Sequence, residues 1–155
     1  MNHAFSMTEF GLLRKVLWLD ISQSDLGFKV NQSKYASYLL NKFKKKDRNP
    51  SKTPFLSGVK LEEAQSSPLE NNTLFRRLVG CLLYSTHTWP DISYIVSVAF
   101  RHMDQPHDIH WRAEKRILKF LQGTRTHGIH YVAQSILELV GFTDSDWAGD
   151  NNDRK

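Results

Sequence analysis

The sequence predicts an α+β fold, in which an N-terminal β-hairpin precedes a core of about four helices and two short strands follow. A β-rich run at residues 12–22, then a turn, then alternating residues 28–31 indicate the hairpin. Apolar residues that recur at helical spacing in four later segments indicate the helices. With 155 residues, 40% of them hydrophobic, the chain is long enough to bury a core.

The first helix is predicted to begin at Ser33, an N-cap residue, and to end before Asn49-Pro50. Its last turn is predicted to hold a lysine run, in which cations oppose the negative end of the helix dipole. Residues 51–72 hold prolines and serines without a clear period and are predicted to be a long connection. The predicted buried face of this helix comprises Tyr35, Ala36, Leu39, Leu40 and Phe43. The lysine run comprises Lys42, Lys44, Lys45 and Lys46.

The next three helices follow from the apolar period and its breakers. Phe75, Leu78, Val79, Leu82 and Leu83 form the stripe of the second helix, which Pro90 closes. Asp91 is predicted to cap the third helix, and Gln105-Pro106 to break it. The fourth is predicted from Asp108 to Gln122, with Gly123 as the C′ residue. Residues 128–132 and 137–142 are predicted to form the two closing strands.

Charge is unevenly distributed along the chain, whose net charge is +5. Residues 33–60 hold eight basic residues and one acidic residue, whereas residues 138–155 hold five acidic and two basic residues. This asymmetry indicates a polyanionic partner for the basic part and cation chemistry for the acidic part. A solvated helix end and a polar terminus explain the same charges equally well.

Several function classes are disfavoured. The single cysteine, Cys81, excludes an internal disulfide framework and a site of several thiolates. No apolar run is long enough to cross a bilayer and no signal peptide is recognisable, so an intracellular protein, cytoplasmic or nuclear, is expected. The sequence has neither a nucleophile elbow nor a glycine-rich phosphate loop.

Acidic residues after the last predicted strand are candidate metal ligands. Asp144 and Asp146 lie two apart, so an extended segment directs both to one face, where their oxygens suit Mg²⁺ or Mn²⁺. Asp150 is a further candidate, although an Asx-rich turn explains the same residues. His107 and His110 lack further zinc ligands and are expected to be ordinary polar residues in the first turn of a helix.

Basic helix surfaces are candidate phosphate contacts, which would position a nucleic acid without reading its sequence. The tryptophans (Trp18, Trp89, Trp111 and Trp147) mostly coincide with apolar stripes, which predicts core packing rather than base stacking. The candidate nucleic-acid-binding residues are Lys42, Lys44, Lys45, Lys46, Arg48, Arg112, Lys115, Arg116 and Lys119.

Taken together, several separated motifs resemble the Pol polyprotein of copia-type LTR retrotransposons, in the order that this family has them. The motifs are Met7-Thr8-Glu9-Phe10-Gly11, the strand at residues 16–21, Gln32-Ser33-Lys34-Tyr35-Ala36 with Leu39-Leu40-Asn41-Lys42-Phe43, Thr53-Pro54, the block at residues 75–84, Pro90-Asp91-Ile92-Ser93-Tyr94, Gln105-Pro106-His107, His110-Trp111, residues 115–124 and residues 143–150.

The resemblance implies that residues 1–128 are the end of a reverse transcriptase palm with a thumb or connection region, and that residues 129–155 begin an RNase H-like domain. Asp144 would then match the first metal-binding acid of RNase H. The polymerase motif and the later RNase H acids of the family are not in the sequence, so neither active site is expected to be complete. Trp18 stands where the family usually has Gly, and Trp89 where it usually has Arg.

The resulting expectation is a non-catalytic Pol fragment that binds an RNA–DNA hybrid without sequence preference, with other Pol segments as further partners. No cofactor is expected, except Mg²⁺ or Mn²⁺ if an RNase H site were completed. Two alternatives stay open: an RNase H half-site that another chain completes, and a co-opted structural or protein-interaction module.

Overall fold

The computed structural model describes residues 11–44, 49–56, 66–133 and 140–143. Within them, four antiparallel strands form one sheet in the order β1-β2-β3-β4, and four α-helices supply the core, which confirms the predicted α+β class. The strands are β1 (Lys15–Val16), β2 (Leu19–Ser24), β3 (Gly27–Asn31) and β4 (Gly128–Val132). The helices are α1 (Ser33–Lys42), α2 (Asn72–Ser85), α3 (Ser93–Arg101) and α4 (Asp108–Gly123), and a 3₁₀ turn, Pro90–Ile92, precedes α3.

The predicted hairpin is confirmed as β2 and β3, joined by the two-residue turn Asp25-Leu26. The run at residues 12–22, however, is not one continuous strand. A second tight turn at Leu17-Trp18 divides it into β1 and β2, and both turn residues have positive φ, +45° and +68°. Two-residue turns with positive φ normally contain Asn or Gly, so the large apolar pair Leu17-Trp18 does not indicate a turn in the sequence.

Strand β4 confirms the strand predicted at residues 128–132, but its partner differs from the expected one. It pairs antiparallel with β3, so it lies in one sheet with the N-terminal hairpin rather than in a C-terminal pair. Of the strand predicted at residues 137–142, residues 140–142 adopt no regular structure and the rest lie outside the described residues. No RNase H-like fold is identified in the described part, and the division at residue 128 stays a prediction.

Helix α1 differs from its prediction at both ends. Gln32 takes the N-cap position without a side-chain cap hydrogen bond, so Ser33 is the first helical residue and not the N-cap. Asn31, before Gln32, accepts hydrogen bonds at its Oδ1 from the Ser33 amide at 3.1 Å and from the Ser33 hydroxyl at 2.7 Å. The helix ends at Lys42, and Lys44 has a positive φ of +52° beyond it, so only Lys42 of the described lysines is in the last turn.

The other three helices form in the predicted segments, with differences at their ends. Asn71 caps α2, because its side chain accepts a hydrogen bond from the Leu74 amide at 3.2 Å. Asp91 is not the cap of α3: it lies inside the 3₁₀ turn, and Ile92 takes the N-cap position. Gly123 is the last residue of α4 rather than its C′ residue, and a Cβ there would meet the Pro50 Cβ at 3.1 Å.

The core lies between the four helices, where the predicted apolar stripes meet. Trp89 is almost fully buried with them, and its indole N–H donates a hydrogen bond to the Thr124 carbonyl at 3.3 Å. Among the described residues, no helix has the length and apolar character needed to span a membrane. The largest fully buried apolar side chains are Trp89, Phe75, Leu39, Leu40, Leu78, Leu82, Ile92, Ile95, Ile117, Leu118 and Leu121.

Candidate nucleic-acid interface

The β1–β2 turn places Trp18 against the exposed side of α1. Its ring centroid lies 5.6 Å from that of Tyr38 and 6.0 Å from that of Tyr35. A hydrogen bond from the Tyr84 hydroxyl to the Leu17 carbonyl ties the same turn to α2. These contacts hold the turn in a conformation that its own residues disfavour, since a left-handed backbone costs a non-glycine residue about 1–2 kcal/mol.

Basic side chains flank these rings. Lys34, Tyr38 and Lys42 recur every four residues and so lie on one face of α1. The Lys42 ammonium lies 5.2 Å from the Tyr38 ring centroid, a cation–π distance. We call this region the aromatic–basic surface; it comprises Trp18, Tyr38, Lys15, Lys34, Lys42 and Arg77.

Like charges interact within this surface. The neighbouring Lys34 lowers the pKa of Lys15, an effect that the Asp20 carboxylate partly opposes. Tyr38 raises the pKa of Lys42, whereas the positive charge of Arg77 weakly opposes that shift. These cations together create positive potential, which favours an anion beside them.

The predicted basic residues of α4 are less available than expected. Arg112 forms a 2.6 Å ion pair with Asp108, and the Lys115 ammonium lies 5.0 Å from the Trp111 ring centroid. Arg116 donates a hydrogen bond to the Thr53 hydroxyl at 2.9 Å. Three of the four predicted cations thus have intramolecular contacts, while Lys119 is exposed.

The remaining predicted site residues divide between the described and the undescribed parts of the chain. Lys42 and Lys44 are exposed, which suits a phosphate contact. Lys45, Lys46, Arg48 and the acidic candidates Asp144, Asp146 and Asp150 lie outside the described residues.

The two histidines at the start of α4 help to cap the helix. The His107 amide donates to Nδ1 of His110 at 3.0 Å, and Nδ1 of His107 lies 2.8 Å from the Ser66 carbonyl oxygen. His110 is fully buried, and its ring stacks on that of His102 with 4.0 Å between centroids. Within the described residues, no group of three or more His, Cys, Asp or Glu side chains is arranged to hold a metal ion.

Glu114 is a buried acid that the sequence pattern did not reveal. It lies on α4 one turn after His110 and is fully buried. Neither carboxyl oxygen has a hydrogen-bond partner among the described residues, and burial raises the pKa of Glu114 to about 8.

Sequence reasoning also missed most of the aromatic–basic surface. Trp18 was expected in the core, yet 55% of its surface is exposed, whereas Trp89 is buried as expected. The four-residue spacing of Lys34, Tyr38 and Lys42 was the available signal. The contributions of the β1–β2 turn and of Arg77 depend on tertiary structure, so no local pattern marks them.

An α+β scaffold that presents cations around exposed aromatic rings has the composition of surfaces that contact nucleic acids. Comparison with known proteins gives the family. The chain is 34% identical over 153 residues to the retrovirus-related Pol polyprotein from transposon RE2 of Arabidopsis thaliana, which is 99% of the chain and 10% of that protein. It is 30% identical over 164 residues to the corresponding polyprotein from transposon TNT 1-94 of Nicotiana tabacum, which is 100% of the chain and 12% of that protein.

An uncharacterized mitochondrial protein of Arabidopsis thaliana is 34% identical over 156 residues, which is 100% of the chain and 64% of that protein. No protein-family model matches the chain, and no solved structure matches it significantly. The chain is homologous to a segment of the Pol polyproteins of copia-type retrotransposons, and it spans about a tenth of their length.

Proposed function

We propose that the chain is a Pol segment from the reverse transcriptase and RNase H region that binds the backbone of an RNA–DNA hybrid without sequence preference and has no catalytic activity of its own. The observation that carries the proposal is the set of four exposed cations in the aromatic–basic surface, Lys15, Lys34, Lys42 and Arg77, whereas the rings are not needed for contacts with a duplex backbone. The cations come from β1, α1 and α2, and those of α1 lie on one face of that helix. Phosphate contacts of this kind supply affinity without sequence information.

The test is a salt titration of hybrid binding. Fluorescence anisotropy of a labelled, blunt RNA–DNA hybrid is measured with the purified chain between about 50 and 200 mM KCl. Each phosphate that the protein neutralises contributes about −0.9 to the log–log slope for B-form DNA, and a similar amount is expected for a hybrid. The double variant Lys42→Ala/Arg77→Ala is expected to reduce the magnitude of the slope by the contribution of about two phosphate contacts.

Arg112→Ala is the matched control, because this guanidinium is already paired with Asp108. Arg112→Ala is expected to change the slope by less than about half of the contribution of one phosphate contact. If the wild-type chain does not bind the hybrid at low salt, or if the double variant binds with an unchanged slope, the proposal is wrong.

The absence of catalysis has a separate test. The sequence contains one acid, Asp144, that matches the family's RNase H site, and two-metal catalysis needs several carboxylates. The chain alone is expected not to cleave a hybrid in Mg²⁺ or Mn²⁺. Cleavage that Asp144→Asn abolishes would establish the RNase H alternative instead.

A further inference from the structure

Trp18 is exposed at a position where an exposed tryptophan is costly. Its φ of +68° is one that glycine adopts freely, and Leu17 before it has a φ of +45°. More than half of the indole surface is open, so core packing does not account for this residue. The ring is nevertheless held in place, because Tyr35 and Tyr38 lie within aromatic contact distance of it.

Tyr38 extends the same aromatic surface along α1, since 41% of it is exposed. The Lys42 ammonium lies over the Tyr38 ring, 5.2 Å from its centroid. Lys34 is on the same face of α1, and its Cα atom is about 12 Å from that of Lys42, as eight residues of α-helix require. Lys15 interacts with Lys34, and Arg77 interacts with Lys42. Positive charge and partly exposed aromatic rings thus share one surface.

We propose that Trp18 and Tyr38 form a base-stacking platform for single-stranded nucleic acid, with the neighbouring cations binding its phosphates. An unpaired base can lay its π-face on an aromatic ring, whereas a duplex hides those faces and offers its backbone. The inference rests on the proposed function, because both use the same cations, and it adds the unpaired strand as the preferred substrate.

Charge complementarity favours this occupant over an apolar protein surface. A protein partner would need to bury four ammonium or guanidinium groups with two rings, which costs desolvation unless acids face them. A nucleic acid strand supplies a phosphate beside every base, so rings and cations are satisfied together. The negative charge of Asp20 partly offsets the positive charge around Lys15.

The test compares two nucleic acids with one substitution. Trp18→Gly suits the positive φ, so the fold is expected to survive, which circular dichroism and a melting curve verify. Anisotropy at about 50 mM KCl then measures affinity for a labelled oligothymidylate and for the blunt RNA–DNA hybrid. Trp18→Gly is expected to weaken oligothymidylate binding by roughly 5- to 100-fold, while hybrid affinity changes less than about twofold.

Two further variants make the result specific. Trp18→Phe keeps an aromatic face and is expected to retain most of the affinity for the oligothymidylate. Tyr94→Ala removes a tyrosine of α3 that is 69% exposed and should have no effect. If Trp18→Gly unfolds the chain, Tyr38→Leu makes the same test from α1.

The possible outcomes separate this inference from the proposed function. Unchanged oligothymidylate affinity in Trp18→Gly, or an equal loss for both ligands, overturns the stacking platform but leaves hybrid binding standing. Trp18-dependent binding of the single strand without any binding of the hybrid supports the platform and refutes the proposed function. A chain that binds neither ligand refutes both.

Discussion

Replacing Glu114 by Gln is expected to stabilise the folded chain in a strongly pH-dependent way. Glu114 is fully buried on α4, and neither of its oxygens has a hydrogen-bond partner among the described residues. Loss of hydration disfavours the charged form, which raises the pKa from 4.5 to about 8. Gln has nearly the size and polarity of the protonated acid, so the cost of burying a polar group is similar in both proteins.

The sign and the size of the effect follow from linkage. Since the folded-state pKa lies above the unfolded-state value, folding takes up a proton. The contribution of Glu114 to stability is therefore most favourable below about pH 4.5, becomes less favourable as the pH rises to about 8, and then changes no further. Each pH unit between the two pKa values costs about 1.4 kcal/mol, so the penalty is about 0.8 kcal/mol at about pH 5 and about 4 kcal/mol at about pH 7.5.

Urea denaturation followed by far-ultraviolet circular dichroism measures this difference at both pH values. Glu114→Gln should gain about 3–4 kcal/mol over wild type at about pH 7.5 and less than 1 kcal/mol at about pH 5. Because both proteins keep the same seven histidines, the contributions of histidine titration largely cancel. Glu70→Gln, at an exposed acid, is the control and should change little at either pH. An equal gain at both pH values would refute the argument, since it would show that Glu114 is already hydrated or paired when ionised.

Three further substitutions test the packing, each by urea denaturation at one fixed pH. Gly128→Ala is expected to destabilise the chain by more than about 2 kcal/mol, because the added Cβ would overlap the Val30 carbonyl oxygen and break the pairing of β3 with β4. The control Gly80→Ala, in open space on α2, should stabilise the chain by about 0.5–1 kcal/mol. Equal effects of the two substitutions would contradict the observed sheet. Thr88→Val removes the 2.8 Å hydrogen bond to the buried Gln32 and should cost about 1–3 kcal/mol, so a loss below about 0.5 kcal/mol would argue against it. Trp89→Arg should cost about 3–5 kcal/mol, because it places a charge at a buried position, and a neutral result would show that this position admits a charge.

The helices show what the sequence could and could not predict. The positions of α2 and α4 were predictable because each has a complete apolar stripe followed by a recognisable breaker, Pro90 or Gly123. The end of α1 was not, because lysine is a good helix former and a lysine run carries no stop signal. Beyond the helix, Ser51 donates to the Lys119 carbonyl at 3.1 Å and Pro50 packs against Gly123, so tertiary contacts with α4 fix this part of the chain.

The sheet and the aromatic–basic surface were also predictable only in part, because tertiary contacts determine the rest. Gly27, directly after the β2–β3 turn, permits the φ of +129° at that position, whereas the turn at Leu17-Trp18 has no glycine. Its conformation depends on rings and hydroxyls contributed by α1 and α2. The pairing of β4 with β3 joins segments about 100 residues apart, a contact that local pattern does not encode.

Trp18 and Glu114 both break local rules, yet the structure gives them different meanings. Glu114 lowers stability in the interior, where no ligand reaches it, so its substitution should change stability alone. At Trp18, a backbone cost of about 1–2 kcal/mol is nearly offset by ring contacts worth about 0.5–1.5 kcal/mol, so folding neither requires nor strongly opposes the indole. Local rules are most often broken at functional sites. If Trp18→Gly leaves both stability and single-strand affinity unchanged, then the indole has no role in folding or in binding; if stability is unchanged and affinity falls, the role of the indole is in binding.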